Sequence, residues 1–155
     1  MNPVSTSNMW LIVLRRYLIV SAAANLIWEF AQLPFYTIWR DGTPAEIVFA
    51  AVHCTGGDIL IAICSLIAAL ILTSKRDWPA RGYIAVATFA IAFGLAYTIF
   101  SEWLNTEVRH SWTYSVSMPR LPIIGTGLSP LMQWLLVPAT AFWLARPRLD
   151  KTDTL

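Results

Sequence analysis

Two carboxylates sit where a strongly apolar sequence should tolerate none. Glu29 lies within the run Asn25-Leu26-Ile27-Trp28-Glu29-Phe30-Ala31-Gln32, and Asp58 follows His53-Cys54-Thr55-Gly56-Gly57. A charged side chain at the centre of a membrane helix costs about 2.5–3.5 kcal/mol on insertion scales, so such groups normally face a bundle interior and have partners. Asn25, Glu29 and Gln32 are spaced by four and three residues, which puts them on one helical face. Glu102 and Gln133 extend the polar set to two later segments. A pair of acids suits proton donation and removal. Aromatic faces near them (Trp28, Tyr36, Tyr97, Trp103, Trp134) suit stabilisation of a developing cation.

These residues define the candidate site. Glu29 and Asp58 are the expected acid/base pair, with His53 and Glu102 as tuning groups. Asn25, Trp28, Gln32, Tyr97, Trp103, Trp112, Tyr114 and Gln133 are the expected ligand-binding residues. Plainer readings stand beside this one. Asn25, Gln32 and Gln133 could be interhelical hydrogen-bond glue. His53 could be bonded to a backbone carbonyl, and Glu102 could simply reach interfacial water. His53 and Asp58 are five apart, about 140° round an ideal helix, so a kink or π-bulge at Gly56-Gly57 is expected if both face inward.

The elements that must position them are long. Composition is 57% apolar and 13% charged, with mean hydropathy +0.57. A soluble domain carries about 25% charge, so lipid must solvate part of this chain. Four apolar segments, about 17–39, 47–73, 83–104 and 123–145, are each long enough to cross about 30 Å of hydrocarbon. The expected fold is all-α: one polytopic domain over residues 1–155, a bundle of four transmembrane helices, with an outer loop at 105–122. Residues 1–16 are expected to include a short interfacial helix, and the tail from Leu149 to lie free of the bundle. Pro34 should bend the first helix. Small residues of the third segment (Ala85, Ala87, Ala90, Ala92, Gly94 and Ala96) and the Gly125/Ser129 pair of the fourth suit close packing. The apolar core between Arg15-Arg16 and Ser21-Ala22-Ala23-Ala24 is only about five residues, short of the roughly 7–15 of a cleaved signal, and the hydrophobic run continues to Trp39, so it reads as a retained helix.

Loop cations set the expected orientation. With the N-terminus inside, Arg15, Arg16, Lys75, Arg76, Arg81, Arg146, Arg148 and Lys151 are cytoplasmic, against Arg40, Arg109 and Arg120 outside. Both termini are then cytoplasmic. Trp10, Trp39, Trp78 and Trp103 fall near the boundaries, as an aromatic belt would. Glu29, His53, Asp58, Glu102 and Gln133 then fall in the outer half or near the midplane, which predicts a polar pocket opening to the outer face.

Three functions remain open at this level. An intramembrane enzyme acting on a lipid or isoprenoid-type molecule leads. A metal- or small-ligand-binding module is second, with Glu29, His53, Asp58 and Glu102 as oxygen and nitrogen ligands. Bis-histidine haem does not fit, because His110 lies in the outer loop. A non-catalytic accessory subunit is third. Cofactor and metal are open. The expected partners are membrane lipid and a lipophilic small molecule, with homo-oligomerisation or a larger membrane complex open. With net charge +2 and no basic run, nucleic acid is excluded. Cys54 and Cys64, about 15 Å apart on one helix, are too distant for a disulfide and read as buried apolar thiols. There is no CxxC zinc spacing, phosphate loop or nucleophile elbow.

Four stretches carry a resemblance: Trp28-Glu29-Phe30-Ala31-Gln32-Leu33-Pro34-Phe35-Tyr36, His53-Cys54-Thr55-Gly56-Gly57-Asp58, Glu102-Trp103-Leu104-Asn105 and Met118-Pro119-Arg120-Leu121-Pro122. In these the chain resembles a group of small bacterial membrane proteins. The resemblance implies the same four-helix plan and a bacterial inner membrane, and brings no activity with it. Separately, Glu29, Gln32 and Pro34 are similar to the acidic–Gln–Pro helix of the emopamil-binding (EXPERA) family, over fewer than ten residues and with the acid-to-Gln spacing displaced by one. No residue role follows from it.

Overall fold

The computed structural model describes residues 6–75 and 77–147. Arg76, Arg148, Lys151 and the tail from Leu149 lie outside the described residues. Four long helices dominate: α1 (Thr6–Gln32), α3 (Pro44–Thr73), α4 (Tyr83–Trp103) and α5 (Leu128–Ala145). A short α2 (Ile38–Asp41) lies between α1 and α3. Each long helix is apolar and long enough to span a membrane, so this is a multi-pass membrane protein with an all-α bundle. Backbone hydrogen bonds closed within each helix are what hydrocarbon demands.

α1 packs against α3 and α5, and α4 also packs against α3 and α5, so the four helices form a square with α1 and α4 on one diagonal. Consecutive long helices run antiparallel. One face, called here the terminal face, carries the α3–α4 turn and the start of α1. The opposite loop face carries residues 33–43 and 104–127.

The first helix departs from the expected 17–39. Among the described residues it runs from Thr6 without a break, so the stretch Trp10 to Leu14 is part of α1 and not a separate interfacial helix, with Val13 and Tyr17 buried. It ends at Gln32, followed by a 3-10 turn Leu33–Phe35. Pro34 has no N–H and cannot continue the ladder, so it stops this helix instead of bending it. α3 starts three residues earlier than 47. Pro44 occupies its first turn, and Thr43 and Glu46 form a reciprocal capping box, with Thr43 N–H donating to Glu46 Oε2 at 2.8 Å. The fourth helix starts at Leu128, not 123, because Pro122, Gly125 (φ +68°) and Gly127 shape a turn there. Gly125 is therefore a turn residue, not a packing one.

The terminal-face half is a tight apolar core. Val13 and Tyr17 of α1, Ala62, Leu66 and Ala69 of α3, Val86, Ala87 and Ala90 of α4, and Ala141 and Phe142 of α5 form one cluster. Trp78 is 4% exposed and stacks on Tyr83, so it belongs to this core and not to an interfacial belt. Gly94 admits Trp134 against its backbone. A Cβ there would lie 2.2 Å from Trp134 Cε3.

The long loop folds back on the bundle. Thr37 N–H donates to Thr113 O at 3.0 Å and Ser115 N–H donates to Phe35 O at 2.8 Å. Tyr114 and Met118 are buried beneath it, against Gly127, where a Cβ would come within 2.9 Å of Met118 Sδ.

Candidate functional site

Four helices and the loop-face turns line an open cavity of about 1220 Å³. That exceeds the roughly 300–1,000 Å³ of ordinary small-molecule pockets. Its floor is a polar network built on Gln133. The Gln133 amide Nε2 donates to Asn25 Oδ1 at 3.0 Å, Glu29 Oε1 at 3.0 Å and Asp58 Oδ2 at 2.9 Å. Both carboxyl groups share one nitrogen, so their bonded oxygens stand within about 6 Å of each other. Gln32 Nε2 adds a bond to Glu29 Oε1 at 2.8 Å and one to Gln133 Oε1 at 3.2 Å. Ser129 Oγ donates to Gln32 Oε1 at 2.9 Å, and Trp28 Nε1 donates to Ser129 Oγ at 3.3 Å. Asn25, Gln32 and Gln133 are all at most 5% exposed.

Local structure explains why these groups meet. The four-then-three spacing carries Asn25, Glu29 and Gln32 along one side of α1. Gln133 sits in the second turn of α5, one turn beyond Ser129. Asp58 lies at the middle of the 30-residue α3. The network therefore joins α1, α3 and α5. An amide nitrogen has two protons and three acceptors face this one, so one proton is shared between two of them.

Glu102 forms a second polar node, near the end of α4. It accepts from Tyr114 Oη, and Tyr114 Oη accepts from Gly127 N–H at 3.0 Å. Tyr36 and Trp112 also face the Glu102 carboxyl, although the Trp112 indole nitrogen is buried and closes no hydrogen bond. Burial, and then the Glu102 carboxyl beside it, push the Tyr114 phenol above its ordinary range, so it stays a donor at working pH. Just past Glu102 the helix widens into a π-type turn, Leu104–Val108, a feature common at functional sites.

The expected site residues separate into those the cavity gathers and those it does not. Glu29, Gln32, His53, Asp58, Tyr97, Glu102, Trp112 and Gln133 all line it. His53, however, is exposed and stacks on Phe49 with ring centroids 5.5 Å apart, so it sits at the rim and not beside the acids. α3 runs unbroken through Gly56-Gly57, so the expected kink is absent and nothing turns His53 inward. Asn25, Trp28 and Tyr114 support lining residues from behind, through the bonds given above. Trp103 is 48% exposed and outside the cavity. Tyr36 and Trp134 supply aromatic wall. Glu29 lies one turn from the end of α1, not ten residues below Trp39 on a continuous helix.

Several lining residues went unread in the sequence. Cys54 is half-buried and Cys64 exposed, and both line the cavity, so neither is a buried packing thiol. Gly57 lines it as well. The signal was present: positions 50, 53, 54, 57, 58, 61, 64, 65 and 68 repeat at helical spacing on one face of α3. Ser129, read as a packing residue, is a hydrogen-bonding link in the network.

Among the described residues no three His, Cys, Asp or Glu side chains lie close enough to hold a metal ion together. Comparison with family models, curated proteins and solved structures finds no match.

Proposed function

We propose that this protein is an intramembrane acid/base enzyme that adds and removes protons on a lipophilic, chain-bearing molecule. One observation carries the reading: Glu29 and Asp58, on different helices, are held by the same Gln133 amide at the floor of a large cavity. Acids brought together only for packing need no such cavity beside them. Two carboxyl groups of which one carries a proton can act in opposite senses, one giving a proton to an unsaturated carbon while the other removes one from a neighbouring carbon. That step conserves atoms and charge and needs no co-reactant. Tyr97, Phe93 and Trp134 supply apolar and aromatic wall for the chain and for a transient positive charge. Glu102, fixed by Tyr114, adds a third carboxyl group toward the loop face.

The metal-binding alternative loses support from the placement of His53 at the rim and from the absence of a three-ligand group among the described residues. The accessory-subunit alternative reads the same network as glue between α1, α3 and α5.

The cation bias supports a loop face turned away from the cytoplasm and termini turned toward it, in an inner membrane. Arg15, Arg16, Lys75, Arg81 and Arg146 lie toward the terminal face, and Arg40, Arg109 and Arg120 toward the loop face.

The test uses purified protein in vesicles of bacterial polar lipid doped with farnesol and geranylgeraniol, incubated in heavy water. Mass spectrometry of the extracted lipids is expected to show deuterium on carbon above the level in protein-free vesicles. Incorporation equal to that background would overturn the proposal.

A further inference from the structure

The cavity is open along its side as well as toward the loop face. Phe49 and Leu60 of α3 and Tyr97 of α4 line it, yet they are 69%, 64% and 50% exposed. A side chain that both lines a cavity and remains half exposed marks its rim, so the rim runs between α3 and α4. Nearer the terminal face the same two helices are closed by Ala62, Ala69, Val86, Ala87 and Ala90. Within the gap, Gly57 removes a side chain beside Asp58, and a Cβ built there meets nothing within 4 Å. What lies against this face is hydrocarbon, because α3 and α4 are membrane-spanning helices. Asp58 marks the centre of α3, and the hydrocarbon core extends about 15 Å to either side of its midplane. A lipid headgroup stays near the interface, so at that depth the bilayer offers chain and not head.

We infer that the gap between α3 and α4 at Gly57 is a lateral portal through which a hydrocarbon chain of a membrane lipid passes from the bilayer to Glu29 and Asp58. This rests on the proposed acid/base reading for its purpose, and on geometry alone for the passage. The reacting position is then on the chain, with the polar head left outside at the bilayer surface. Exposed apolar side chains of the rim hold the chain, and the polar floor stops it.

Neighbouring glycines supply both the plug and its control. Gly56 is also open, with nothing within 4 Å of a built Cβ, but it does not line the cavity. Replacing either glycine removes a residue that weakens a helix by about 0.8–1.0 kcal/mol relative to Ala, so both variants are expected to fold. Vesicles of phosphatidylcholine carrying a mid-chain diazirine are irradiated with wild type, Gly57→Trp and Gly56→Trp, and adducts are mapped by peptide mass spectrometry. Wild type and Gly56→Trp are expected to carry chain adducts on Glu29 or Asp58. Gly57→Trp is expected to lose them while retaining adducts at Ile27 and Ile71, which are 70% and 73% exposed and do not line the cavity. Adducts at the acids that persist in Gly57→Trp, or that are missing in wild type while those at Ile27 and Ile71 form, would overturn the portal. Deuterium incorporation on the same samples separates the two ideas. Incorporation without adducts at the acids leaves the chemistry standing with entry from the loop face. Adducts without incorporation leave the portal standing and remove the chemistry.

Discussion

Gln133 holds more of this site together than any residue that carries charge. Its nitrogen serves acceptors on α1 and α3 while its oxygen receives Gln32, and it is 2% exposed. Gln133→Leu keeps the volume and removes every bond, leaving Asn25 and two carboxyl groups short of a partner. It is expected to destabilise the fold by about 1–3 kcal/mol, read as a lowered unfolding temperature in detergent. Tyr114→Phe deletes the donor to Glu102 and the acceptor for Gly127 N–H. A loss of about 1–3 kcal/mol is expected, with faster proteolysis between residues 109 and 127 as the local readout. Glu29 and Asp58 were legible in the sequence because a carboxylate in an apolar run has an unmistakable cost. The Asn25, Glu29, Gln32 face was legible because helical spacing is local. The Glu102–Tyr114 bond was not, since it depends on how an irregular loop returns, and no periodicity encodes that. His53 misled for a related reason: its type suggested chemistry, while its angular position on an unbroken α3 placed it at the rim.

Hydropathy alone located all four spanning helices and misplaced two of the ends that shape the site. With Pro34 in the turn that follows, α1 ends at Gln32, three residues after Glu29, and not at Trp39. The pattern Thr43-Pro44-Ala45-Glu46 is a start signal that a hydrophobicity window passes over, because its residues are polar or small. Of the small residues of α4 read as packing positions, Ala87, Ala90 and Gly94 are buried while Ala92 and Ala96 are exposed, because small side chains alone do not tell the packed face from the outer one. Gly94 meets Trp134, whose ring also forms the cavity wall. Gly94→Ala is therefore expected to cost about 1–3 kcal/mol through overpacking, where a lipid-facing Gly→Ala change would raise helix stability. Thermal unfolding of Gly94→Ala beside Gly56→Ala distinguishes the two, with opposite shifts as the outcome.

Over the whole molecule, tight packing at the terminal face and looseness at the loop face divide the labour. The core of small and aromatic residues holds the square of helices, and the folded-back loop ties α1 to the α4–α5 connection at the far end while leaving the cavity open there. Between them the bundle keeps a space that an ordinary four-helix packing would fill. A bundle needing only register could bury its amides and dispense with the acids. The most direct measurement is deuterium incorporation into chain lipid by wild type, Glu29→Gln and Asp58→Asn, with unfolding temperatures taken on the same samples. Each isosteric change is expected to abolish incorporation while the unfolding temperature holds or rises, because an amide keeps the shape of the buried acid and cannot ionise. Incorporation at the wild-type level in both variants, with only the unfolding temperature changed, would show that the acids serve the fold alone.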